Sequence, residues 1–202
     1  MKRVAVLASG RGSNLVALIA AHRVFASYRI VLVVSNVAAT GALDRARDAS
    51  IEALSIPSRG LAREEHERVV ASALAERSID IVCLAGYMRV LSPAIIQALS
   101  RPILNIHPSL LPAFPGMHAQ KQALEAGVRW SGATVHFVDA GLDSGPIILQ
   151  EPVEVAPDDT EDSLSTRILE TEHRIYPQSV DIVARDAYEM RGRTVYLRGT
   201  HA

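Results

Sequence analysis

Residues 4–14 read Val4-Ala5-Val6-Leu7-Ala8-Ser9-Gly10-Arg11-Gly12-Ser13-Asn14. The first five of these residues, 4–8, are all apolar. Such a run is typical of a short strand buried on both faces, as in a parallel sheet. Glycines and small polar residues follow at once, and helical spacing of leucines begins at Leu15 and Leu18. The stretch therefore predicts a strand, a tight turn and a helix, which is the first half of a βαβ unit.

The same alternation continues through the first half of the chain. Further strands are predicted at 30–34, 53–56, 79–85 and 103–106, and helices at 13–22, 42–49, 63–77 and 93–99. Right-handed crossovers between such strands build a doubly wound α/β fold with a mostly parallel sheet.

The second half has a different rhythm. It predicts a helix at 118–126, strands at 133–138 and 147–155, and a short strand at 194–197. The two longer strands are close in sequence, so we expect an antiparallel edge on the sheet. A long last helix is predicted to begin at Asp159 or Thr160, to break or kink at Pro177, and to resume to about Tyr188. We predict one domain, 1–202, with halves 1–100 and 101–190 and a tail 191–202.

Composition excludes several classes of partner. The 202 residues are 49% hydrophobic and carry 21 basic and 22 acidic side chains, a net charge of −1, so neither nucleic acid nor a membrane is indicated. No apolar run approaches the roughly 18 residues of a membrane span. The single cysteine, Cys83, lies in an apolar run and excludes an internal disulfide. A buried, inert thiol in a reducing, cytoplasmic setting is the simplest interpretation.

The loop at 9–14 is a candidate phosphate site. Glycines allow an anion to approach the backbone, Ser13 and Asn14 add polar groups, and a helix N-terminus adds partial positive charge. The loop lacks the ending of a Walker A motif and the third glycine of a dinucleotide fingerprint, so a phosphate monoester fits better. A plain tight turn with a serine N-cap explains the same residues equally well.

Asn105 and His107 form the second candidate site. Residues two apart in a strand face the same way, and Pro108 ends this strand where a loop begins. Open α/β sheets bind their ligands at the carboxyl ends of the strands. An amide donor beside an imidazole suits the oxyanion of an acyl transfer. The alternative for His107 is a structural histidine with its hydrogen bonds satisfied.

Two carboxylates, Asp139 and Asp143, lie in the loop between the last two predicted strands of the sheet. Taken alone, they are best explained as turn residues that accept backbone hydrogen bonds. Asp143 becomes catalytic only if the fold brings it to His107, where it would favour the imidazolium.

The remaining candidates are weaker. His136 has apolar neighbours and fits a core histidine, while Arg63 and Glu172 lie on charged helices where side chains are ordinarily solvated. The segment at 86–91 follows a buried strand at its carboxyl end, beside the expected active edge. Neither H-E-x-x-H nor CxxC occurs, so we predict no metal.

Several of these pieces occur together, in order, in one known family. They are Gly12-Ser13-Asn14, LAGYMRVLSP (84–93), NIHPSLLP (105–112), ATVHFV (133–138) and LDSGPII (142–148). The chain resembles the phosphoribosylglycinamide formyltransferase family from Val4 to about Tyr188. The Asn-x-His-Pro-Ser-Leu-Leu-Pro run marks the wider group that uses 10-formyltetrahydrofolate, and the Gly-Ser-Asn loop narrows it to the ribonucleotide enzymes.

The resemblance implies a Rossmann-type first half and a role for each matched residue. Phosphate binding falls to Gly12, Ser13 and Asn14, and contact with the glycinamide part of the substrate to Glu172. Catalysis falls to Asn105, His107 and Asp143. Contact with the folate co-substrate falls to Arg63, Met88, Arg89, Val90, Leu91, Asn105 and Asp139, the last in a loop that walls the pterin pocket. The implied partners are the two small-molecule substrates, and the protein is expected to be a monomer or homodimer.

Three rivals stay open at this point. A formyltetrahydrofolate hydrolase would use the same trio on water, but we expect it to carry an extra N-terminal domain, with no room before Val4. A methionyl-tRNA formyltransferase is expected to have a further C-terminal RNA-binding domain and a basic surface. A non-catalytic nucleotide- or folate-binding protein would not need Asn105, His107 and Asp143 together.

Overall fold

The computed structural model describes residues 1–22 and 24–199, and strands alternate with helices through most of that range. The strands are β1 (Lys2–Ala8), β2 (Tyr28–Ser35), β3 (Glu52–Ser55), β4 (Ile81–Leu84), β5 (Ile103–His107), β6 (Trp130–Phe137), β7 (Ile147–Glu154), β8 (Tyr188–Arg191) and β9 (Thr194–Leu197). The helices are α1 (Ser13–Ala21), α2 (Gly41–Asp48), α3 (Arg63–Glu76), α4 (Pro93–Leu99), α5 (Ala119–Glu125) and α6 (Glu161–Ala184).

The strands β1 to β7 form one sheet in the order β3-β2-β1-β4-β5-β6-β7. The first five strands in this order, β3-β2-β1-β4-β5, run parallel to one another. Strand β6 pairs antiparallel with β5, and β7 pairs antiparallel with β6. The predicted doubly wound sheet with an antiparallel edge is confirmed. β8 and β9 pair with each other as a separate hairpin.

Strand β1 shows why the sheet is covered on both faces. Val4, Val6 and Ala8 join the core cluster shared with α1 and α6, while Ala5 and Leu7 join the cluster shared with α3 and α4. Each buried valine or leucine stabilises the fold by roughly 1.5–3 kcal/mol. A strand that contributes to two cores must be apolar throughout, which accounts for its continuous hydrophobic run.

The topology sets the place of the site. Strand β1 lies between β2 and β4, so the strand order reverses there and the loops after β1 and β4 diverge. Ligands bind at such a switch point, outside the carboxyl ends of the strands. The loops that follow β1, β4 and β5 therefore share one edge of the sheet, and they carry most of the predicted site residues.

The predicted start of the last helix is confirmed. Thr160 Oγ1 accepts a 3.1 Å hydrogen bond from the Ser163 amide, and the Thr160 amide donates a 2.9 Å bond to Ser163 Oγ. This reciprocal capping box satisfies two donors at the start of α6.

The predicted break at Pro177 and the resumption to about Tyr188 are wrong, and the alternative, a kink at Pro177, stays a prediction. Helix α6 is continuous through Pro177 and ends at Ala184. An internal proline costs a helix about 3 kcal/mol, and the long buried face of α6 offsets that cost. Asp186 then takes a left-handed φ of 51°. Tyr188 begins β8 instead, where its ring centroid lies 5.3 Å from that of Phe137.

Across residues 1–22 and 24–199, no helix combines the length and the apolar character that crossing a bilayer requires. Of the predicted tail, 191–199 contains the end of β8 and all of β9, and the last three residues lie outside the described residues.

Candidate active site

The loop between β1 and α1 is pinned to α2. The Ala42 amide donates to the Gly10 carbonyl at 3.1 Å, and Arg45 Nε donates to the Arg11 carbonyl at 2.9 Å. The carbonyl oxygens of Gly10 and Arg11 thus accept hydrogen bonds from α2. Gly12 is the N-cap of α1, with a φ of 79° and no side-chain cap. The serine N-cap interpretation is therefore wrong, and the first amides of α1 keep no side-chain partner, as an anion site requires.

Gly12→Ala should disable this loop. A Cβ at Gly12 would lie 2.8 Å from Ala42 Cα, and a φ of 79° is strained for any residue with a side chain. Because the obstacle is backbone, the loop has to move. We expect a loss of about 1–3 kcal/mol in unfolding free energy and weaker binding of a phosphate-bearing ligand. Urea denaturation and phosphate-ester titration measure both. Gly10→Ala is the control, since a Cβ at Gly10 would meet nothing within 4 Å; equal effects would contradict the prediction.

The structure brings Asn14 and Glu172 together although they come from α1 and α6. Asn14 Nδ2 donates to Glu172 Oε2 at 2.7 Å. Burial raises the pKa of the Glu172 carboxyl from 4.5 to about 7, and the bond from Asn14 offsets only part of this. Glu172 is thus a buried carboxyl beside the 9–14 loop, not the solvated helix residue that its charged surroundings indicate.

Glu172→Gln should change how stability depends on pH. A raised folded-state pKa means that Glu172 favours folding below pH 4.5, and that this contribution is lost as pH rises to about 7. Glutamine stays neutral, so the variant should be roughly 2–3 kcal/mol more stable than wild type at pH 8 and similar to it at pH 4. Urea denaturation at both pH values measures this. Glu170→Gln, on the exposed side of α6, is the control. If Glu172→Gln and wild type differed in unfolding free energy by the same amount at both pH values, the assignment would be refuted.

Asn105 at the end of β5 is oriented by His136 on the neighbouring β6. His136 Nδ1 faces the Phe137 carbonyl at 2.8 Å, so this nitrogen must donate. Burial lowers the pKa of His136, which favours the neutral ring with a bare Nε2. Asn105 Nδ2 lies 3.2 Å from that Nε2 and donates to it. Its second N–H is left for the site and faces Asp143 Oδ1 at 3.5 Å.

His107 lies between a carboxylate and a carbonyl. Its Nδ1 is 3.4 Å from Asp143 Oδ2, and its Nε2 is 2.8 Å from the Phe114 carbonyl oxygen. Both ring nitrogens therefore face acceptors, and only the imidazolium donates to both. Asp143 Oδ2 also accepts the Gly116 amide at 2.8 Å. The structure thus brings Asn105, His107 and Asp143 together.

Asp143 is held by the shape of its loop. It adopts a left-handed φ of 48°. A Cβ at nearby Gly145 would lie 1.7 Å from the Phe137 carbonyl oxygen, so the chain can pass there only as glycine. Asp139 does not reach the trio. Its Oδ1 accepts the Ser144 hydroxyl at 2.6 Å and the Gly141 amide at 3.0 Å, which closes the loop on itself.

The segment at 86–92 lies between the 9–14 loop and α3. Ser9 links it to that loop, because Ser9 Oγ accepts the Met88 amide at 2.8 Å. Met88 and Val90 expose 69% and 57% of their surface, whereas Leu91 is buried. Arg63 at the start of α3 donates to the Val90 carbonyl. The contacts predicted for these residues and for Arg89 stay predictions.

Sequence reasoning missed the roles of Ser9 and His136, and it left the C-terminal tail without one. The tail hairpin touches the Asp143 loop, where the Arg193 guanidinium donates to the Ser144 carbonyl. A cavity of about 570 Å³ lies between the hairpin and this loop. The apolar surroundings of His136 suggested a core residue, and only the pairing of Asn105 with His136 across β5 and β6 reveals its contact.

These features define an α/β protein with a candidate active site. The 9–14 loop and an amide–imidazole–carboxylate trio share one edge of a doubly wound sheet. Groups of three or more histidine, cysteine or acidic side chains able to hold a metal are absent from residues 1–22 and 24–199.

Comparison with known proteins identifies the family. The family model described as "Formyl transferase" matches residues 2–180. Phosphoribosylglycinamide formyltransferase of Escherichia coli (strain K12) is 40% identical over 97% of this chain and 93% of that protein. The crystal structure of glycinamide ribonucleotide transformylase 1 from Symbiobacterium toebii has a TM-score of 0.95 and 45% identity, and covers 98% of this chain and 94% of its own. The chain belongs to the phosphoribosylglycinamide formyltransferase family.

Longer relatives also match. The trifunctional purine biosynthetic protein adenosine-3 of Drosophila melanogaster is 49% identical over 183 residues, and that of Homo sapiens 47% over 190. The chain spans 14% and 19% of the lengths of these two proteins.

Proposed function

We propose that this protein transfers the formyl group of 10-formyltetrahydrofolate to the amine of N1-(5-phosphoribosyl)glycinamide. The products are the N-formyl ribonucleotide and tetrahydrofolate, and the reaction is a step of purine biosynthesis. The observation that carries the proposal is the meeting of Asn105, His107 and Asp143 on the edge that also holds the 9–14 loop.

The acceptor is positioned by its phosphate. The loop at 9–14 presents the uncapped N-terminus of α1, which favours a phosphate dianion. The buried Glu172 carboxyl, bonded to Asn14, lies beside this loop and suits a polar group of the glycinamide arm. The acceptor amine then lies toward the trio at the end of β5.

The chemistry is direct formyl transfer. The amine nitrogen attacks the formyl carbon, and the carbonyl electrons move to oxygen in a tetrahedral intermediate. The N–H of Asn105 that faces Asp143 Oδ1 at 3.5 Å turns to donate to this oxyanion. Protonated His107 adds a charge-assisted donor when the oxyanion displaces the Phe114 carbonyl from Nε2. The bond from carbon to N10 of the folate then breaks. N10 receives a proton that His107 supplies through water. The attacking nitrogen passes its own proton through water to the imidazole, which restores the imidazolium.

Asp143 keeps His107 charged during this cycle. Its Oδ2 faces Nδ1 of the ring and is fixed by the Gly116 amide, so the carboxylate cannot easily turn away.

An assay of folate release tests the proposal against its rivals. Tetrahydrofolate is followed spectrophotometrically with no acceptor, with glycinamide ribonucleotide, and with methionyl-tRNA. We expect release only with the ribonucleotide, together with its N-formyl product by mass spectrometry. Release without acceptor would identify a hydrolase, release with the tRNA a tRNA formyltransferase, and no release with any of them a binding protein.

The setting is proposed with the activity. A cytoplasmic location is supported by the free, buried Cys83, whose thiol pKa burial raises to about 12 and which is therefore inert. The proposed partners are the two small-molecule substrates, with the protein a monomer or homodimer.

A further inference from the structure

Glu67 is a buried carboxylate that the reaction described above does not use. It lies on α3, and 8% of its side chain is exposed. Its carboxylate accepts the Ser92 amide at 2.8 Å, the Ser92 hydroxyl, and Arg63 Nε at 3.4 Å. A buried charge is retained only where such donors compensate its desolvation. Glu67 therefore ties α3 to the residue that caps α4.

The same pair of side chains holds both sides of Leu91. Arg63, paired with Glu67, donates to the Val90 carbonyl, and Glu67 accepts the Ser92 amide. Leu91 between them is buried in the core formed with α3 and α4. The chain at 90–92 is thus fixed by two polar contacts and one apolar anchor.

The other end of the segment is fixed as well. The Ser9 amide donates to the Gly86 carbonyl at 3.1 Å, and Ser9 Oγ accepts the Met88 amide at 2.8 Å. Between the two anchors the side chains of Met88 and Val90 face solvent. A segment fixed through its backbone that exposes apolar side chains is a preorganised surface for a flat apolar ligand.

We propose that Glu67 is a positioning residue for the formyl donor. It preorganises the 86–92 segment, so that 10-formyltetrahydrofolate meets a surface already in its binding conformation. The inference rests on the proposed function and on the folate contacts that the family resemblance implies for 88–91. Without Glu67, Arg63 loses its partner and the Ser92 donors lose their acceptor, and donor binding must then order the segment itself. The 9–14 loop is also held by α2, and its contact with the segment, made through Ser9, lies at the 86–88 end and away from Glu67. We therefore expect this loop to keep its conformation.

The expected signature is a split between the two substrates. Glu67→Ala should raise the KM for 10-formyltetrahydrofolate about tenfold, as an ordering cost paid on binding predicts, and leave the KM for glycinamide ribonucleotide unchanged. Glu67→Gln should restore much of the loss, because its amide oxygen still accepts the Ser92 amide and its NH₂ can donate to the hydroxyl. Glu65→Gln, an exposed residue on the same helix, is the matched control.

Calorimetric titration with tetrahydrofolate separates this inference from the proposed function, because it needs no turnover. A tenfold weaker Kd in Glu67→Ala with rescue in Glu67→Gln supports the positioning role. An unchanged Kd, or an equal rise in both KM values, overturns it. If the alanine variant does not fold by circular dichroism, Ser92→Ala, which removes the hydroxyl from the same contact, decides by the same KM split. Wild-type protein that binds tetrahydrofolate yet transfers no formyl group would refute the function alone.

Discussion

His107→Ala should lower kcat by about 10²–10³-fold, the usual cost of losing one oxyanion donor. The variant removes both functions that we propose for His107, oxyanion donor and proton source, while Asn105 and the 9–14 loop remain. The KM for glycinamide ribonucleotide should therefore change little, because the 9–14 loop, which we propose binds its phosphate, does not include His107. Steady-state kinetics with each substrate varied in turn measures both quantities.

The alanine variant needs a stability check, because His107 is buried and its loss leaves the Phe114 carbonyl without this donor. Circular dichroism and thermal unfolding show whether the domain stays folded. His22→Ala, at the C-terminal end of α1, controls for loss of an imidazole that bonds to a backbone carbonyl. Folded His107→Ala protein with near-wild-type kcat would remove His107 from the chemistry. Asn105→Ala should give a loss of similar size, and the double variant less than the product of the two, because both donors serve one oxyanion.

The sheet and two of the three members of the trio were predictable because they depend on local patterns. Apolar runs such as 4–8 predict buried parallel strands, and the period of two places Asn105 and His107 on one face. Proline and serine after His107 predict the loop at the strand's end. These signals involve neighbours in sequence, so one chain is enough to read them.

Long-range contacts were not predictable in this way. Asp143 meets His107 only because β6 returns antiparallel beside β5 and a left-handed turn aims the side chain back. Glu172 and Glu67 both lie on charged helices, and charge alone predicts solvated side chains there. Their burial depends on Asn14 and Ser92, which come from distant segments. The family resemblance predicted site roles for Asp143 and Glu172. Neither the local sequence patterns nor the resemblance predicted a role for Glu67.

Asp143→Asn should lower kcat by about 10²–10⁴-fold, as found when a carboxylate that orients a catalytic histidine becomes an amide. Asparagine tolerates the left-handed φ of 48° at this position and keeps an oxygen that can accept the Gly116 amide. The loop should therefore keep its shape. What changes is the group facing His107 Nδ1, which is no longer charged, so the imidazolium loses its stabilising partner.

This substitution distinguishes an electrostatic role for Asp143 from a purely structural one. If Asp143 served only to hold the loop through Gly116, the asparagine variant would retain most of its activity and Asp143→Ala alone would fail. If it serves to keep His107 charged, both variants fail, and they differ in stability because only alanine loses the Gly116 contact. Measuring kcat and the thermal midpoint for both variants, with Asp139→Asn as the control from the same loop, separates the two cases. The contacts favour the electrostatic role, because Asp143 Oδ2 faces the ring of His107 as well as the amide of Gly116.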